Sequence, residues 1–176
     1  MTVRRGPIGR VLDALYLWSG ALAAGFLALI ALAVIAQVLG RSFGYVVDST
    51  EIAGFFMAAS SFFALAHTFK RGTHVRVTLL VHRLAGERRR WLEVWCCLAA
   101  AGFVGFVALY AVDLVRQSLR FGDISPGLLA IPFWIPQTAM AAGLVLLVVA
   151  LIDEAVRILR GGDPAYESDL DTALDG

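Results

Sequence analysis

The chain has 176 residues, of which 59% are hydrophobic and 16% are charged, and its mean hydropathy is +0.76. A soluble domain of this length needs a charged surface around a single core, and this composition exceeds what such a core can bury, so a water-soluble fold is excluded. The formal net charge of +1 does not indicate a protein that binds nucleic acid.

Long apolar runs are the main feature of the sequence. In chain order they cover residues 15–39, 51–69, 92–115 and 128–152. About 20 helical residues cross the hydrocarbon core of a bilayer, so each run predicts a transmembrane helix. The first run follows several arginines, as a secretory signal would, but it exceeds the roughly 7–15 apolar residues of a cleavable signal. We therefore expect it to be retained.

The connection between the second and third runs has a helical pattern of its own. Val77, Leu80, Val81 and Leu84 fall at the spacing of one helix face, while Arg76 lies on another. This pattern predicts a short amphipathic helix in the membrane interface over about residues 76–86. A solvated basic loop is the alternative.

The distribution of basic residues predicts the orientation. Twelve of the fifteen Lys and Arg lie in the N-terminal tail, the second connection and the C-terminal tail. The positive-inside rule then places both termini in the cytoplasm. We expect an all-α membrane protein, with a four-helix membrane domain over residues 1–160 and an acidic, flexible cytoplasmic tail over residues 161–176.

Side chains within the runs suggest how the helices pack. Small residues recur at four-residue steps, as in helices that approach closely in lipid; examples are Gly20 and Ala24, Gly54 and Ala58, Ala101 and Gly105, and Ala139 and Gly143. The second run also has two rows of phenylalanine, Phe55, Phe62 and Phe69 beside Phe56 and Phe63. Rows this bulky must face lipid or a large hydrophobic partner, and we expect lipid.

Ionisable residues lie near the ends of the runs. They are Asp48, Glu51, His67, Glu93, Asp113, Asp153 and Glu154. Proton relays and ion sites normally need a charge at mid-membrane or a broken helix, and the runs contain no charge at that depth. We therefore predict no catalytic residue.

The histidines and cysteines do not predict a cofactor or a metal site. His67 and His74 are seven residues apart, but His74 follows Gly72 beyond the end of the second run, which removes the paired geometry of a haem site. Cys96 and Cys97 are adjacent within an apolar run and are expected to be packing residues.

Several short segments carry a resemblance to a known family. They are the acidic residues Asp48 and Glu51, the segment from Ala66 to Val77 that contains Arg71-Gly72-Thr73-His74-Val75-Arg76-Val77, and the segment Ile131-Pro132-Phe133-Trp134-Ile135-Pro136-Gln137 followed by Gly143. With four spans, these features make the chain resemble the small membrane subunit of tripartite ATP-independent periplasmic (TRAP) transporters, from Val11 to about Leu159. The family often has an aromatic residue and two adjacent acids before the second span, where this chain reads Val46-Val47-Asp48-Ser49-Thr50-Glu51.

The resemblance implies a non-enzymatic subunit in the bacterial inner membrane. It implies as partners a large elevator-type permease subunit, which holds the substrate and sodium sites, a periplasmic substrate-binding protein for an organic acid, and membrane lipids. The small subunit would act as a scaffold without any cofactor. The candidate residues for contacting or positioning a partner are Glu51, Arg71, His74, Trp134, Pro136 and Gln137.

Two other function classes remain as alternatives. A self-sufficient homo-oligomeric small transporter or channel would need a membrane-embedded acid. A membrane cytochrome or quinone-linked subunit would need paired histidines at haem depth.

Overall fold

A computed structural model describes residues 7–44, 49–70, 87–127 and 129–160. It contains four helices: α1 (Pro7–Ser42), α2 (Thr50–Lys70), α3 (Glu87–Phe121) and α4 (Trp134–Leu159). The described residues contain no named strand, so the all-helical class is confirmed for them. The predicted interfacial helix over 76–86 and the tail over 161–176 lie outside the described residues.

All four helices are long and apolar enough to cross a membrane. They have 36, 21, 35 and 26 residues in chain order. At about 1.5 Å per residue, α1 and α3 exceed the roughly 30 Å hydrocarbon core and extend past it. The prediction of four spans is therefore confirmed by four suitable helices.

The fourth helix begins later than the fourth apolar run. The run starts at 128, whereas α4 starts at Trp134. Before it, Ile124 and Pro132 form an isolated antiparallel bridge, and the amide of Ser125 donates to the carbonyl of Ile131 at 2.8 Å. Proline at 132 cannot donate a helical hydrogen bond, while Pro136 lies in the first turn of α4, where that loss is tolerated.

The helices pack in the order α1, α2, α4, α3. The main contacts join α1 to α2, α2 to α4, and α4 to α3. The first and last of these pairs are antiparallel, and α2 runs parallel to α4. Helix α4 contacts two neighbours along its length and has the largest buried share of the four, 39% of its apolar window against 6% for α1.

A spacing of alternating three and four residues marks the two antiparallel contacts. On α1 the buried and half-buried positions include Leu12, Tyr16, Ser19, Ala23, Phe26, Ile30, Ala33 and Gln37. On α3 they include Val94, Cys97, Ala101, Val104, Ala108, Ala111, Val115 and Ser118. This 3.5-residue repeat is that of helices packed along a coiled-coil seam, which allows contact along a long antiparallel pair.

The phenylalanine rows of α2 lie between helices, so the expectation that they face lipid was wrong. Phe56 and Phe63 pack against the ring of Phe26 on α1, with ring centroids 5.7 and 6.1 Å apart. Phe62 and Phe69 pack against buried residues of the other helices. The two rows differ by one residue, which turns them about 100° apart on the helix, so each row meets a different neighbour.

Small residues have two different environments in the bundle. A Cβ added at Gly143 would lie 2.6 Å from the backbone carbonyl carbon of Phe62, and one at Gly20 would lie 2.6 Å from Nδ1 of His67. At Gly54 and Gly105, an added Cβ would meet no atom within 4 Å. The four-residue rows therefore mark a close helix contact at some positions and an open surface at others.

The adjacent cysteines report the orientation of α3. Cys97 is buried against α4, as expected of a packing residue, whereas Cys96 is exposed, so that expectation was wrong for Cys96. In detergent, we expect a small maleimide to alkylate Cys96 at least tenfold faster than Cys97, measured by mass spectrometry of a peptide that contains both. A Cys96→Ser variant supplies the rate of Cys97 alone. Equal rates for the two thiols would contradict the α3–α4 packing.

Candidate functional site: the polar contacts at the two ends of the bundle

A lysine, two acids and a tyrosine connect three helices at one end of the bundle, which we call the Lys70 end. Nζ of Lys70, the last residue of α2, lies 2.5 Å from Oδ2 of Asp153 and 3.3 Å from Oε2 of Glu154 on α4. The same nitrogen lies 5.5 Å from the ring centroid of Tyr16 on α1. These four residues form the Lys70 junction.

The Lys70 junction is largely removed from solvent. The side chains of Lys70 and Glu154 are 9% and 1% exposed, whereas Asp153 is 26% exposed. Charges in such surroundings need partners, because each loses its hydration. The junction therefore compensates Lys70 with carboxylates and a ring face, and fixes the ends of α1, α2 and α4 relative to one another.

Arg90 makes a second contact at the Lys70 end. Its Nε donates to the carbonyl of Ile158 at 2.9 Å, and its guanidinium also donates to the carbonyl of Leu159. The last carbonyls of a helix have no partner within the helix, and they carry the negative end of its dipole. Arg90 thus satisfies the end of α4 from the first turn of α3.

Polar side chains also occur along the α1–α2 seam. The hydroxyl of Ser60 donates to the carbonyl of Ala23 at 2.9 Å, and Ser49 donates to Oε1 of Gln37 at 2.6 Å. Nδ1 of His67 lies 2.9 Å from the carbonyl oxygen of Tyr16, which can only accept, so Nδ1 carries the proton. The His67 ring, packed on Gly20, is therefore part of a helix contact.

The opposite end, which we call the Glu51 end, contains the α3–α4 connection, residues 122–133. Helix α3 ends at Phe121 because Gly122 adopts a φ of +66°, and its amide then donates to the carbonyl of Ser118 at 3.0 Å. The amide of Phe133 donates to the carbonyl of Asp123 at 3.0 Å. The connection therefore has a defined backbone shape at its two ends.

Glu51 contacts this connection from the first turn of α2. Its Oε2 accepts a hydrogen bond of 3.3 Å from the amide of Leu129. Gly127 lies against the same carboxylate, so closely that a Cβ at 127 would overlap it. The half-buried Glu51, one of the sequence candidates, is thus in contact with backbone far away in the chain.

The other candidate residues are placed as follows. Trp134 is exposed at the start of α4, Pro136 is half-buried in the first turn, and the half-buried Gln137 has an Oε1 atom that is inaccessible to solvent. These three lie at the same end as Glu51. Arg71 and His74 lie outside the described residues. Among the described residues, no hydrogen bond joins Glu51 to Trp134, Pro136 or Gln137.

Sequence reasoning missed the Lys70 junction, although a signal was present. Asp153 and Glu154 were recognised as closing the fourth run, and Lys70 directly follows the second. Two parallel helices bring their final residues to the same side, so opposite charges at those positions are candidates for an ion pair. Tyr16 had no comparable signal, because a tyrosine at the start of an apolar run is also typical of the membrane interface.

Comparison with known proteins identifies the family. Residues 30–161 match the family described as "Tripartite ATP-independent periplasmic transporters, DctQ component". The chain belongs to this family. The match covers α2, α3 and α4 and the second part of α1, so it includes Glu51, Lys70, Asp153 and Glu154 but not Tyr16.

A curated relative agrees with this membership. The chain is 27% identical over 101 residues to the C4-dicarboxylate TRAP transporter small permease protein DctQ of Rhodobacter capsulatus. The alignment covers 57% of this chain and 44% of that protein, so the chain matches less than half of the relative's length. No solved structure matches the chain.

Family membership confirms the resemblance found in the sequence. The chain is a small permease component of a TRAP transporter and a multi-pass membrane protein with four helices of spanning length. Its family is described as one component of tripartite transporters.

Proposed function

We propose that this small permease component is a non-catalytic scaffold that fixes a large elevator-type membrane subunit. The complete transporter would take up an organic acid, delivered by a periplasmic binding protein and coupled to sodium. The family match over residues 30–161 is the observation that carries this proposal. The proposed location is the bacterial inner membrane, with both termini and the Lys70 end cytoplasmic and the Glu51 end periplasmic.

The packing of the bundle supports a scaffold role. An elevator transporter needs a part that stays fixed in the membrane while another part moves. The seams of α1–α2 and α3–α4, together with the Lys70 junction, connect the four helices by contacts at several depths. Such a bundle resists relative motion of its own helices.

The exposed surface of the bundle supports a membrane partner. Helices α1 and α3 have only 6% and 17% of their apolar windows buried. Their remaining apolar area is available to lipid and to another membrane subunit. We propose that Trp134, Pro136, Gln137, Arg71 and His74 contribute to partner contact or positioning. We also propose that the two connections on the periplasmic side, residues 40–50 and 116–127, add to the surface that meets the binding protein.

Reconstitution tests the proposal. The tagged chain should co-purify from its native host in mild detergent with a much larger polytopic membrane protein. The purified pair, placed in liposomes with its binding protein and an inward sodium gradient, should accumulate an organic acid. A C4-dicarboxylate is the first substrate to test, because the relative in Rhodobacter capsulatus carries that name.

The same experiment distinguishes the main alternative. Liposomes that contain the small chain alone should show no uptake. If the chain purified alone as a defined homo-oligomer and mediated flux by itself, it would be a self-sufficient transporter or channel, and the scaffold proposal would be wrong.

A further inference from the structure

The contact between Glu51 and the α3–α4 connection has a feature that ordinary packing does not require. Leu129 donates its amide to the carboxylate, and Gly127 leaves the space in which that carboxylate sits. Glu51 is 78 residues away from Leu129 in sequence. Two separate positions of the connection are therefore adapted to one side chain of α2.

The electrostatics of the contact are favourable. Glu51 lies in the first turn of α2, where the unpaired amides of a helix give a partial positive charge. A hydrogen bond from a backbone amide to a carboxylate is stronger than one to a neutral acceptor. Glu51 thus lies at the positive end of α2 while its Oε2 accepts from the connection, and its Oε1 is buried and has no hydrogen-bond partner among the described residues.

We propose that Glu51 is a positioning residue of the transporter, whose carboxylate holds the α3–α4 connection against the first turn of α2. The role in transport rests on the proposed function, which places the Glu51 end on the periplasmic side of the membrane. The connection and its flanks expose Phe121, Ile124 and Leu129. Holding the connection fixes the positions of these apolar side chains at the Glu51 end.

Hydrogen exchange of the Leu129 amide tests the contact itself, in the full chain in lipid nanodiscs. We expect Glu51→Ala to raise the exchange rate about tenfold, because the amide loses a charged acceptor. Glu51→Gln should keep most of the protection, since its carbonyl oxygen can accept the same hydrogen bond. Glu87→Ala is the matched control: it removes an exposed acid from the first turn of α3 and should not change the exchange of Leu129.

Gly127→Ala should disrupt the same contact from the side of the connection. Its new methyl group would occupy the position of the carboxylate, which is the flexible end of a side chain and would be displaced. We expect exchange at Leu129 to rise as in Glu51→Ala. The double variant should be no worse than either single variant, since both remove one contact. Unchanged exchange in both single variants, or additive effects in the double variant, would overturn the proposed contact.

Transport by the reconstituted complex tests the positioning role. Glu51→Ala and Gly127→Ala should lower uptake at least threefold while recovery of the complex and its melting temperature stay unchanged, and Glu51→Gln should restore uptake. Faster exchange with normal uptake would show that the contact has no positioning role. If the wild-type chain formed no complex, the proposed function would fail, while the exchange measurements would still decide whether the contact exists.

Discussion

Replacing Lys70 with methionine is expected to lower the free energy of unfolding by about 3 kcal/mol. The substitution keeps the length of the side chain and removes its charge. Glu154, which is 1% exposed, and Asp153 would then lose the cation that lies 3.3 and 2.5 Å away. Removing one partner of a buried ion pair is costly because the other charge remains in poorly hydrated surroundings. Reversible unfolding in mixed micelles, followed by circular dichroism, would measure the change.

Two further variants test whether the loss of stability is specific to the Lys70 junction. Arg160→Met removes an exposed cation at the same end and should change stability by less than about 0.5 kcal/mol. Lys70→Met combined with Glu154→Leu should regain much of the lost stability, because an apolar pair can replace a buried ion pair at little cost. If Lys70→Met behaved like Arg160→Met, the Lys70 junction would not contribute to stability.

The number of spanning helices could be predicted from the apolar runs of the sequence, but the bounds of the helices and their neighbours could not. Hydropathy marks where a chain is apolar, whereas α1 and α3 continue as helices into polar residues such as Arg10 and Arg116. Water gives the faces of a soluble helix different compositions, and lipid does not, since apolar side chains suit both lipid and a helix contact. The rows of Phe55 and Phe56 were therefore assigned to lipid although both lie between helices.

Sequence reasoning singled out Glu51 as a residue but could not predict its contacts. Glu51 was recognised as an acid that opens the second run and as part of the family resemblance. Its partners are the amide of Leu129 and the space at Gly127, and a backbone donor leaves no trace in the residue types. The position of His74 beyond Gly72 argued against a haem site at His67, but the contact of His67 with the Tyr16 carbonyl required the structure.

Gly143 is the second position at which a large effect is expected. A Cβ there would lie 2.6 Å from both the carbonyl carbon and the carbonyl oxygen of Phe62. Since these are backbone atoms of α2, they cannot turn aside as the end of a side chain can, and α2 and α4 must move apart. We expect Gly143→Ala to cost about 1–3 kcal/mol from overpacking, partly offset by the higher helix propensity of alanine.

Gly105 is the matched control for that substitution. It lies within α3, and an added Cβ would meet nothing within 4 Å. Gly105→Ala should therefore be neutral or stabilising by up to about 1 kcal/mol, measured by the same unfolding assay. Both glycines belong to four-residue rows of small residues, so opposite signs would show that the contact, and not the sequence pattern, determines the effect. Equal effects would contradict the close approach of α2 and α4.

A larger side chain at position 143 should separate the bundle without unfolding its parts. The α2–α4 contact is the main connection between the α1–α2 pair and the α3–α4 pair. Each pair retains its own seam, so Gly143→Leu should keep the helical circular dichroism while spin labels on α1 and α3 report a longer and broader distance. A scaffold whose two halves move in this way would no longer hold a fixed position beside a moving subunit. We therefore expect Gly143→Leu to reduce uptake even where the complex still assembles.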